Sequence, residues 1–387
     1  MSQSTENATA MDLIYLVSCA VNELKPSPER CAAMDLEAVL RLAKRHMLTV
    51  VSAFALEKTF PLPVSWKDAK ATAIRRMIIF DSERAKVLRA LDEDGIWYLP
   101  LKGIVLKNSY PKASMREMSD NDILCDSNRM ADIRNSMIGL GYSYKSSGRS
   151  NHDVYHKDSL SFEIHKTLFL PNLFPLFDVY YENLKDRLIK DSDNRFGYHM
   201  RDEDFYIYLL CHMYKHYEDF GLGLRSLLDV YVFCKQKEQL LDWEYIGNEL
   251  EKLEIKGMEH DMRTLALKIF SFRSLSESEW AQISYFIDSG CHGSFSTFFS
   301  RKLNNDDSKK AKIRYAFSRI FPDADYLKVY YPTVYRHRIL YPFLVLCRPI
   351  KGLLKKPKEL SSEYKNLKQY RKKESFNSEE KSLLTKE

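Results

Sequence analysis

The spacing of apolar residues changes twice along the chain, and this change constrains the fold more than any other feature. From about Thr9 to Gly95, apolar residues recur at the i, i+3, i+4, i+7 spacing of amphipathic helices. Between Ile96 and His165, short apolar runs and turn residues predict the order β-α-β-α-β-β-β. Helical spacing returns from about Leu168. The sequence therefore predicts an α+β fold in which a small mixed sheet lies between helical N-terminal and C-terminal regions.

This pattern divides the chain into four segments. A chain of 387 residues exceeds one typical domain, and the low content of Gly and Pro (13 each) favours a mainly helical protein. We expect a helical N-terminal region over 1–95, an α/β core over 96–167, a helical C-terminal domain over 168–350 and a basic, flexible tail over 351–387.

Charge and cysteine content limit the classes of partner. The net charge is +6, and residues 351–387 hold 11 Lys/Arg against 6 Asp/Glu, while the remainder holds 48 against 47. A nearly neutral body argues against long nucleic acid as the partner. Seven Cys without a C-x-x-C pair predict reduced thiols. The polar start of the chain and the absence of a long apolar run predict a cytoplasmic protein.

The chemistry of the chain centres on two carboxylates, Asp120 and Asp122. Their spacing of two residues places both side chains on one face of a strand, where they repel each other. A divalent cation removes that repulsion, and Mg²⁺ bound to phosphates commonly uses one or two carboxylates. The pair therefore suggests a metal-dependent phosphoryl- or nucleotidyl-transfer site, although a lone D-x-D also occurs by chance before strands.

Two further features accompany the pair. Lys102-Gly103 interrupts an apolar run at the start of a short helical segment, and Gly103 allows a close approach of the backbone. Glu163 and His165 share one face of a later strand. Glu163 is the third acid of the site, or else a solvated strand residue.

Several segments of the chain together resemble an uncharacterised bacterial nucleotidyltransferase family of the DNA polymerase beta superfamily. The resemblance runs from about Met11 to Pro349. It is carried by Leu101-Lys-Gly, Tyr110-Pro, Arg116-x-Met-Ser-Asp-x-Asp, Gly141-Tyr, Glu163-Ile-His165 and Gly223-Leu-Arg-Ser-Leu-Leu-Asp229.

The resemblance implies a role for each residue of the core. Asp120, Asp122 and Glu163 would hold Mg²⁺ or Mn²⁺ against the phosphates of an NTP, and Glu163 could also help to deprotonate the acceptor hydroxyl. Lys102-Gly103 stands where the superfamily usually has Gly-Gly or Gly-Ser, with backbone amides that face the triphosphate. The missing second small residue departs from the superfamily pattern but fits the narrower family.

The remaining core residues leave alternatives open. Lys102 would place a charge on a phosphate, or it would only end a strand. Arg116 would bind phosphate bidentately, or it would pair with Glu117 or Asp120. His165 would contact the phosphate or the acceptor, or it would hydrogen-bond the backbone.

The downstream helices supply a second set of candidates for the acceptor or base side of the cleft. These candidates are His212, Lys215, Arg225 and Asp229. His212 and His216 have an i, i+4 zinc-ligand spacing, although the sequence offers no third ligand. Arg225 and Asp229 have the spacing of a plain helical ion pair.

The interpretation that we favour is an enzyme that moves an NMP group from an NTP onto a hydroxyl-type acceptor, a small molecule or a protein. A catalytically silent nucleotide- or partner-binding module of the same fold is the alternative. A metal-dependent glycosyltransferase would need more β-α units before the D-x-D. Residues 331–356 mix apolar and basic residues and could contact an anionic membrane, but packing on the body is the favoured interpretation there.

Overall fold

The protein begins with a bundle of five helices. The computed structural model describes residues 3–145 and 150–371. The helices of the bundle are α1 (Gln3–Val21), α2 (Pro28–Ala33), α3 (Leu36–His46), α4 (Thr49–Leu56) and α5 (Val64–Glu93). Ser65 lies inside α5, which begins at Val64, and its hydroxyl donates a hydrogen bond to Glu37.

A five-stranded mixed sheet follows the bundle. Its elements are β1 (Tyr98–Pro100), α6 (Gly103–Leu106), β2 (Asn121–Cys125), α7 (Met130–Gly139), β3 (Ser143–Lys145), β4 (His152–Lys157) and β5 (Leu160–His165). The strand order is β1-β2-β5-β4-β3, with β2 and β5 parallel and the other neighbours antiparallel. The predicted α+β class and the predicted order of elements are confirmed.

The two faces of the sheet have different neighbours. Alternate residues of β2 and β5, such as Ile123 and Phe162, pack with the long helix α5 and with α7 in one apolar cluster. Leu99 and Leu124 leave the opposite face and join a larger cluster of helical residues. The first face is thus covered mainly by apolar packing, whereas the second face carries Asp122 and Glu163.

Helices return after the sheet and make up the rest of the described chain. They are α8 (Pro175–Tyr180), α9 (Asp202–Glu218), α10 (Leu224–Lys237), α11 (Trp243–Lys252), α12 (Lys256–Phe270), α13 (Glu277–Ser289) and α14 (Phe295–Lys302), followed by α15 (Lys309–Ile320), α16 (Ala324–Tyr330), α17 (Pro332–Arg336), α18 (Tyr341–Lys355) and α19 (Pro357–Gln369). A two-stranded ribbon, β6 (Ile189–Lys190) with β7 (Tyr198–His199), precedes α9. Helix α13 opens with a capping box at Ser276 and Glu279.

The large cluster joins helices from both ends of the chain. It contains buried residues from Ala10 in α1 to Ile287 in α13. The expected tail of 351–387 starts within α18 and continues as α19, and residues 372–387 lie outside the described part of the chain. Within the described ranges, every helix is too short or too polar to cross a bilayer.

His46 links the N-terminal bundle to the C-terminal helices. It is fully buried at the end of α3, and its Nδ1 accepts a hydrogen bond of 3.4 Å from the backbone N–H of Leu224, the first residue of α10. Burial, reinforced by the charge of Arg45, lowers the pKa of His46 to about 3. The imidazole is therefore neutral in the folded protein at neutral pH.

This buried imidazole predicts a loss of stability in acid. In the unfolded chain, His46 binds a proton as the pH falls through its ordinary pKa of about 6.5. In the folded protein, His46 stays neutral until the pH approaches its lowered pKa of about 3. The free energy of unfolding therefore decreases as the pH falls below about 6.5. We expect His46 alone to reduce the free energy of unfolding by about 2 kcal/mol between about pH 7 and about pH 5. Urea unfolding across this range should show a shallower pH dependence in His46→Gln than in the parent protein. Equal pH dependence in both proteins would contradict the prediction.

Candidate active site

Three carboxylates gather on the face of the sheet that α5 and α7 leave open. Asp122 of β2 is paired with Glu163 of β5 in the parallel register, so both side chains leave the same face. Asp120 directly precedes β2 and interacts electrostatically with both. Asp122 is almost fully buried, while Asp120 and Glu163 keep partial access to solvent. The structure thus brings together the three acids that the sequence singles out.

Two nitrogen-bearing side chains contact these acids. The Lys102 ammonium donates a hydrogen bond of 2.5 Å to Asp122 Oδ1. His165 Nε2 lies 2.9 Å from the same oxygen and 3.7 Å from Glu163 Oε2. His165 therefore bonds a carboxylate, rather than the backbone group considered from the sequence.

The pKa values of these groups reflect burial opposed by charge. Burial and the neighbouring Asp122 raise the pKa of Asp120 to about 6. Burial also acts to raise the pKa of Asp122, but Lys102 and His165 outweigh it and hold that pKa well below its usual range. Burial acts to lower the pKa of Lys102, but Asp122 outweighs it and raises that pKa. Asp122 and Lys102 therefore form a charged pair at neutral pH.

A third strand adds a histidine that the sequence prediction missed. His152 of β4 is paired with His165 of β5, and its Nε2 lies 3.7 Å from Glu163 Oε2. His152, Glu163 and His165 offer ligand atoms that all lie within 4.8 Å of one another. The sequence pattern predicts a strand from Asp153 to His156, whereas the observed β4 begins one residue earlier, at His152. Extending the period-2 pattern by one residue would have found it.

Helix α9 covers the carboxylates with a stripe of polar side chains at helical spacing. The stripe consists of Tyr208, His212, Lys215 and His216. Tyr208 interacts electrostatically with Lys102, Asp122 and Glu163. Burial and the charge of Lys102 lower the pKa of Lys215. The structure therefore places His212 and Lys215 beside the site, together with Tyr208, which the sequence prediction assigned only to a helix face.

The zinc spacing of His212 and His216 finds no third ligand in the described chain. Their ring centroids lie 4.5 Å apart. Among the described residues, the one group of three candidate metal ligands within reach of one another is that of His152, Glu163 and His165. Burial lowers the pKa of His216 to about 3 and lowers that of His212 as well.

Arg116 and Asp229 form a buried ion pair behind the site. Arg116 Nε and Nη2 donate hydrogen bonds of 2.9 Å to the two oxygens of Asp229, and the Tyr110 hydroxyl donates one of 2.7 Å to Asp229 Oδ1. The two side chains are 7% and 5% exposed. The alternative pairings considered from the sequence, Arg116 with Glu117 or Asp120 and Arg225 with Asp229, are therefore wrong.

The Arg116 guanidinium explains why residue 103 is a glycine. A Cβ built on Gly103 would lie 2.4 Å from Arg116 Nη1. The close approach at Gly103 is thus made by Arg116. The next backbone amides are also engaged, since those of Ile104 and Val105 donate to the carbonyls of Leu101 and Lys102. The four-residue helix α6 therefore does not present a free row of amides.

Arg225 supports the segment that carries the acids. Its Nη1 donates a hydrogen bond of 2.9 Å to the backbone carbonyl of Glu117, three residues before Asp120. Its charge also acts to lower the pKa of Asp120. Arg225 thus contacts the backbone of the segment that leads into β2. Asp229 contacts the same segment through Arg116.

A cavity of about 550 Å³ lies beyond the C-terminal ends of β2 and β5. Its walls include Trp97, Leu124, Lys166, Phe169 and Tyr181. Asp120, Asp122 and Glu163 do not line it, so this cavity is separate from the carboxylate site.

The buried Arg116–Asp229 pair predicts strong energetic coupling. Asp229→Ala leaves the Arg116 charge buried without its counter-ion, and we expect a loss of about 3–5 kcal/mol in the free energy of unfolding. Glu238→Ala, at an exposed acid after the same helix, should cost less than about 0.5 kcal/mol. The double variant Arg116→Met/Asp229→Leu should recover much of the loss in urea unfolding. Single losses that simply add in the double variant would contradict the coupling.

The backbone conformation at Lys102 predicts that a Gly variant is more stable there than an Ala variant, the reverse of the order expected at Lys107. Lys102 has φ 48° and ψ −119°, a conformation that suits glycine. Both Lys102→Gly and Lys102→Ala remove the ammonium, but only Ala keeps the strain, so we expect the Gly variant to be more stable by about 1 kcal/mol or more. At Lys107, where φ is −57°, the Ala variant should be the more stable one. Thermal unfolding of the four variants checks both orders, and the same order at both positions would refute the assignment of strain.

Comparison with known proteins now places the chain in a family. Searches of curated proteins and of solved structures give no match. The model of an uncharacterised nucleotidyltransferase family matches residues 32–271, which include the sheet, the three carboxylates, α9 and α10. Because the match covers more than half of the 387 residues, the chain belongs to this uncharacterised nucleotidyltransferase family.

Proposed function

We propose that this protein transfers an NMP group from an NTP to a hydroxyl-type acceptor, with Asp120, Asp122 and Glu163 as ligands of divalent metal ions. The observation that carries the proposal is the direct pairing of Asp122 with Glu163 on the open face of the sheet, with Asp120 beside them. The acceptor would be a small molecule or a protein. The proposed catalytic unit is the α/β core of 96–167, flanked by the helical regions 1–95 and 168–350.

The donor set fits a divalent cation. Asp122 and Glu163 are paired on adjacent strands, and Asp120 interacts electrostatically with both. The pKa of Asp120, raised to about 6, reflects burial and the repulsion from these neighbours. Oxygen donors of this type suit Mg²⁺ and Mn²⁺. When bound, such ions stabilise the attacking oxygen and the pyrophosphate leaving group.

Lys102 and His165 act on the carboxylates and on the substrate side of the site. Both contact Asp122 Oδ1, and together they fix the orientation of that carboxylate. The Lys102 ammonium interacts electrostatically with all three acids. This position supports a role for Lys102 in binding a phosphate of an NTP at the site. His165 would keep Asp122 and Glu163 aligned for the metal and the phosphate.

The α9 stripe is the proposed wall for the base or the acceptor. Tyr208 and Lys215 interact electrostatically with Asp122 and Glu163, and His212 interacts with Lys102 and His165. Lys215 carries a positive charge near the acids, where it would attract the phosphates of the nucleotide. Glu163, with partial access to solvent, is the proposed group to accept the proton of the acceptor hydroxyl.

The proposed role of four further residues is to position the site: Arg116, Gly103, Arg225 and Asp229. Their contacts are with one another and with the segment that precedes β2. We therefore propose that Arg116 holds the turn at Gly103 in place, and that it does not itself bind phosphate. Arg225 and Asp229 would define the floor of the cleft from α10.

The metal role predicts a loss of activity with two isosteric substitutions. Asp122→Asn and Glu163→Gln each remove a charged oxygen donor, and we expect Mg²⁺-dependent release of pyrophosphate from NTPs to fall by about 10²–10³-fold. Binding of Mn²⁺, followed by electron paramagnetic resonance, should weaken in parallel.

Asp153→Asn is the matched control for these variants. Asp153 is a buried acid of β4 that is paired with Ile164, so its side chain leaves the opposite face of the sheet, where it contacts Lys166. Its substitution should leave Mn²⁺ binding unchanged. Full activity in folded Asp122→Asn would overturn the proposed site.

The alternative function is a catalytically silent nucleotide-binding module. It requires NTP binding that does not depend on Mg²⁺. Calorimetric titration of each NTP with and without Mg²⁺ separates the two functions, because affinity that is indifferent to Mg²⁺, without pyrophosphate release, would support the silent module.

A further inference from the structure

The net positive charge of the chain comes from its C-terminal helices. Residues 309–358, from α15 to the start of α19, contain 13 Lys/Arg and 2 Asp/Glu, whereas the remaining residues contain 46 Lys/Arg and 51 Asp/Glu. From residue 326 to residue 358 there is no acidic residue. This segment lies after residue 271, where the family match ends.

The same segment exposes a stripe of large apolar side chains. Ile339, Phe343, Leu346, Ile350 and Leu354 are 81%, 66%, 68%, 60% and 79% exposed. Their intervals of four, three, four and four residues follow one face of α18 and the turn that precedes it. We call these five residues the apolar stripe.

The apolar stripe is the side of α18 that its packing against the neighbouring helices leaves exposed. The inward side of α18, which includes Tyr341, Leu344 and Val345, is half-buried and faces the neighbouring C-terminal helices. These helices have a small core of their own around Phe299 and Tyr315. The body packing favoured from the sequence therefore accounts for one side of α18 and leaves the stripe in solvent.

We propose that the apolar stripe and the basic residues around it bind the surface of a membrane that contains anionic lipids. An interfacial helix combines an apolar face, which enters the boundary between headgroups and acyl chains, with Lys and Arg that contact anionic headgroups. Exposed Lys351, Lys356 and Lys358 supply such charge beside the stripe. We infer an anionic surface because the segment has a net charge of +11 in a chain of +6.

The helix lies on the membrane and does not cross it. α18 has 15 residues and contains Pro342 and Pro349. At a rise of about 1.5 Å per residue it is shorter than a hydrocarbon core of about 30 Å. Other occupants fit less well, because RNA would use the charge but not the stripe, and a second copy of the chain would bring two strongly basic surfaces together.

Flotation of the full-length protein with lipid vesicles tests this proposal. We expect binding to vesicles of phosphatidylcholine with phosphatidylserine, weak binding to phosphatidylcholine alone, and weakening of the bound state by salt. Phe343→Ser/Leu346→Ser/Ile350→Ser should reduce binding by about 100-fold, because it removes the inserted face. Lys351→Gln/Lys356→Gln/Lys358→Gln should reduce binding by a similar factor at low salt, about 100-fold.

Matched controls exist elsewhere on the surface. Val64→Ser/Val179→Ser/Leu240→Ser changes three apolar side chains that are 73%, 75% and 72% exposed outside the segment. Lys25→Gln/Lys44→Gln/Lys67→Gln makes the same charge change at exposed lysines of the N-terminal region. Both controls should bind vesicles as the parent does, and circular dichroism should show the same helix content in all variants.

Three outcomes would overturn the proposal. One is vesicle binding that is absent in the parent or that survives the substitutions in the stripe. Another is a concentration-dependent dimer, without vesicle binding, that the same substitutions abolish. The third is RNA binding that the lysine variant alone abolishes, again without vesicle binding. Pyrophosphate release measured without lipid should be unaffected by the variants, which separates this proposal from the proposed catalytic function.

Discussion

The site depends on the ion pair between Arg116 and Asp229, because it joins the segment that leads into β2 to helix α10. A buried guanidinium is tolerated only where its donors are satisfied, and here one carboxylate takes two of them while Tyr110 bonds the same carboxylate. The guanidinium also fills the space beside Gly103. One interaction therefore sets the turn that carries Lys102 and the approach to the segment that carries Asp120.

The turn at Lys102 shows how the chain combines a backbone requirement with a charge requirement. Its φ of 48° belongs to a region where glycine is free of strain. This chain keeps a lysine, whose ammonium bonds Asp122 among three acids. The charge compensation at Asp122 outweighs a backbone strain of about 1–3 kcal/mol. Strain of this kind at a cluster of acids is consistent with a functional site.

The sequence predicted the fold better than the contacts within the site. Periodicity was enough for the order of elements along the chain and for the shared face of Glu163 and His165, because both follow from local spacing. The pairing of Asp122 with Glu163 joins two strands and was expected only from the resemblance to the family. Periodicity could not find the partner of Arg116, since Asp229 lies 113 residues away and the pair forms only when α10 packs against the sheet. Tyr208 was missed as a site residue for the same reason, because only tertiary packing shows what its helix face covers.

The distribution of charge separates the chain into two surfaces with different requirements. Outside residues 309–358 the chain carries 46 basic and 51 acidic residues, so the rest of the protein is slightly acidic. An apolar face exposed to water is costly unless something covers it, and scattered single residues would not need such an explanation. Five large apolar residues in one helical stripe, within a segment of 13 basic and 2 acidic residues, are not scattered. An exposed apolar stripe within a strongly basic segment is the arrangement of an interfacial helix, which is why we propose an anionic membrane as its partner.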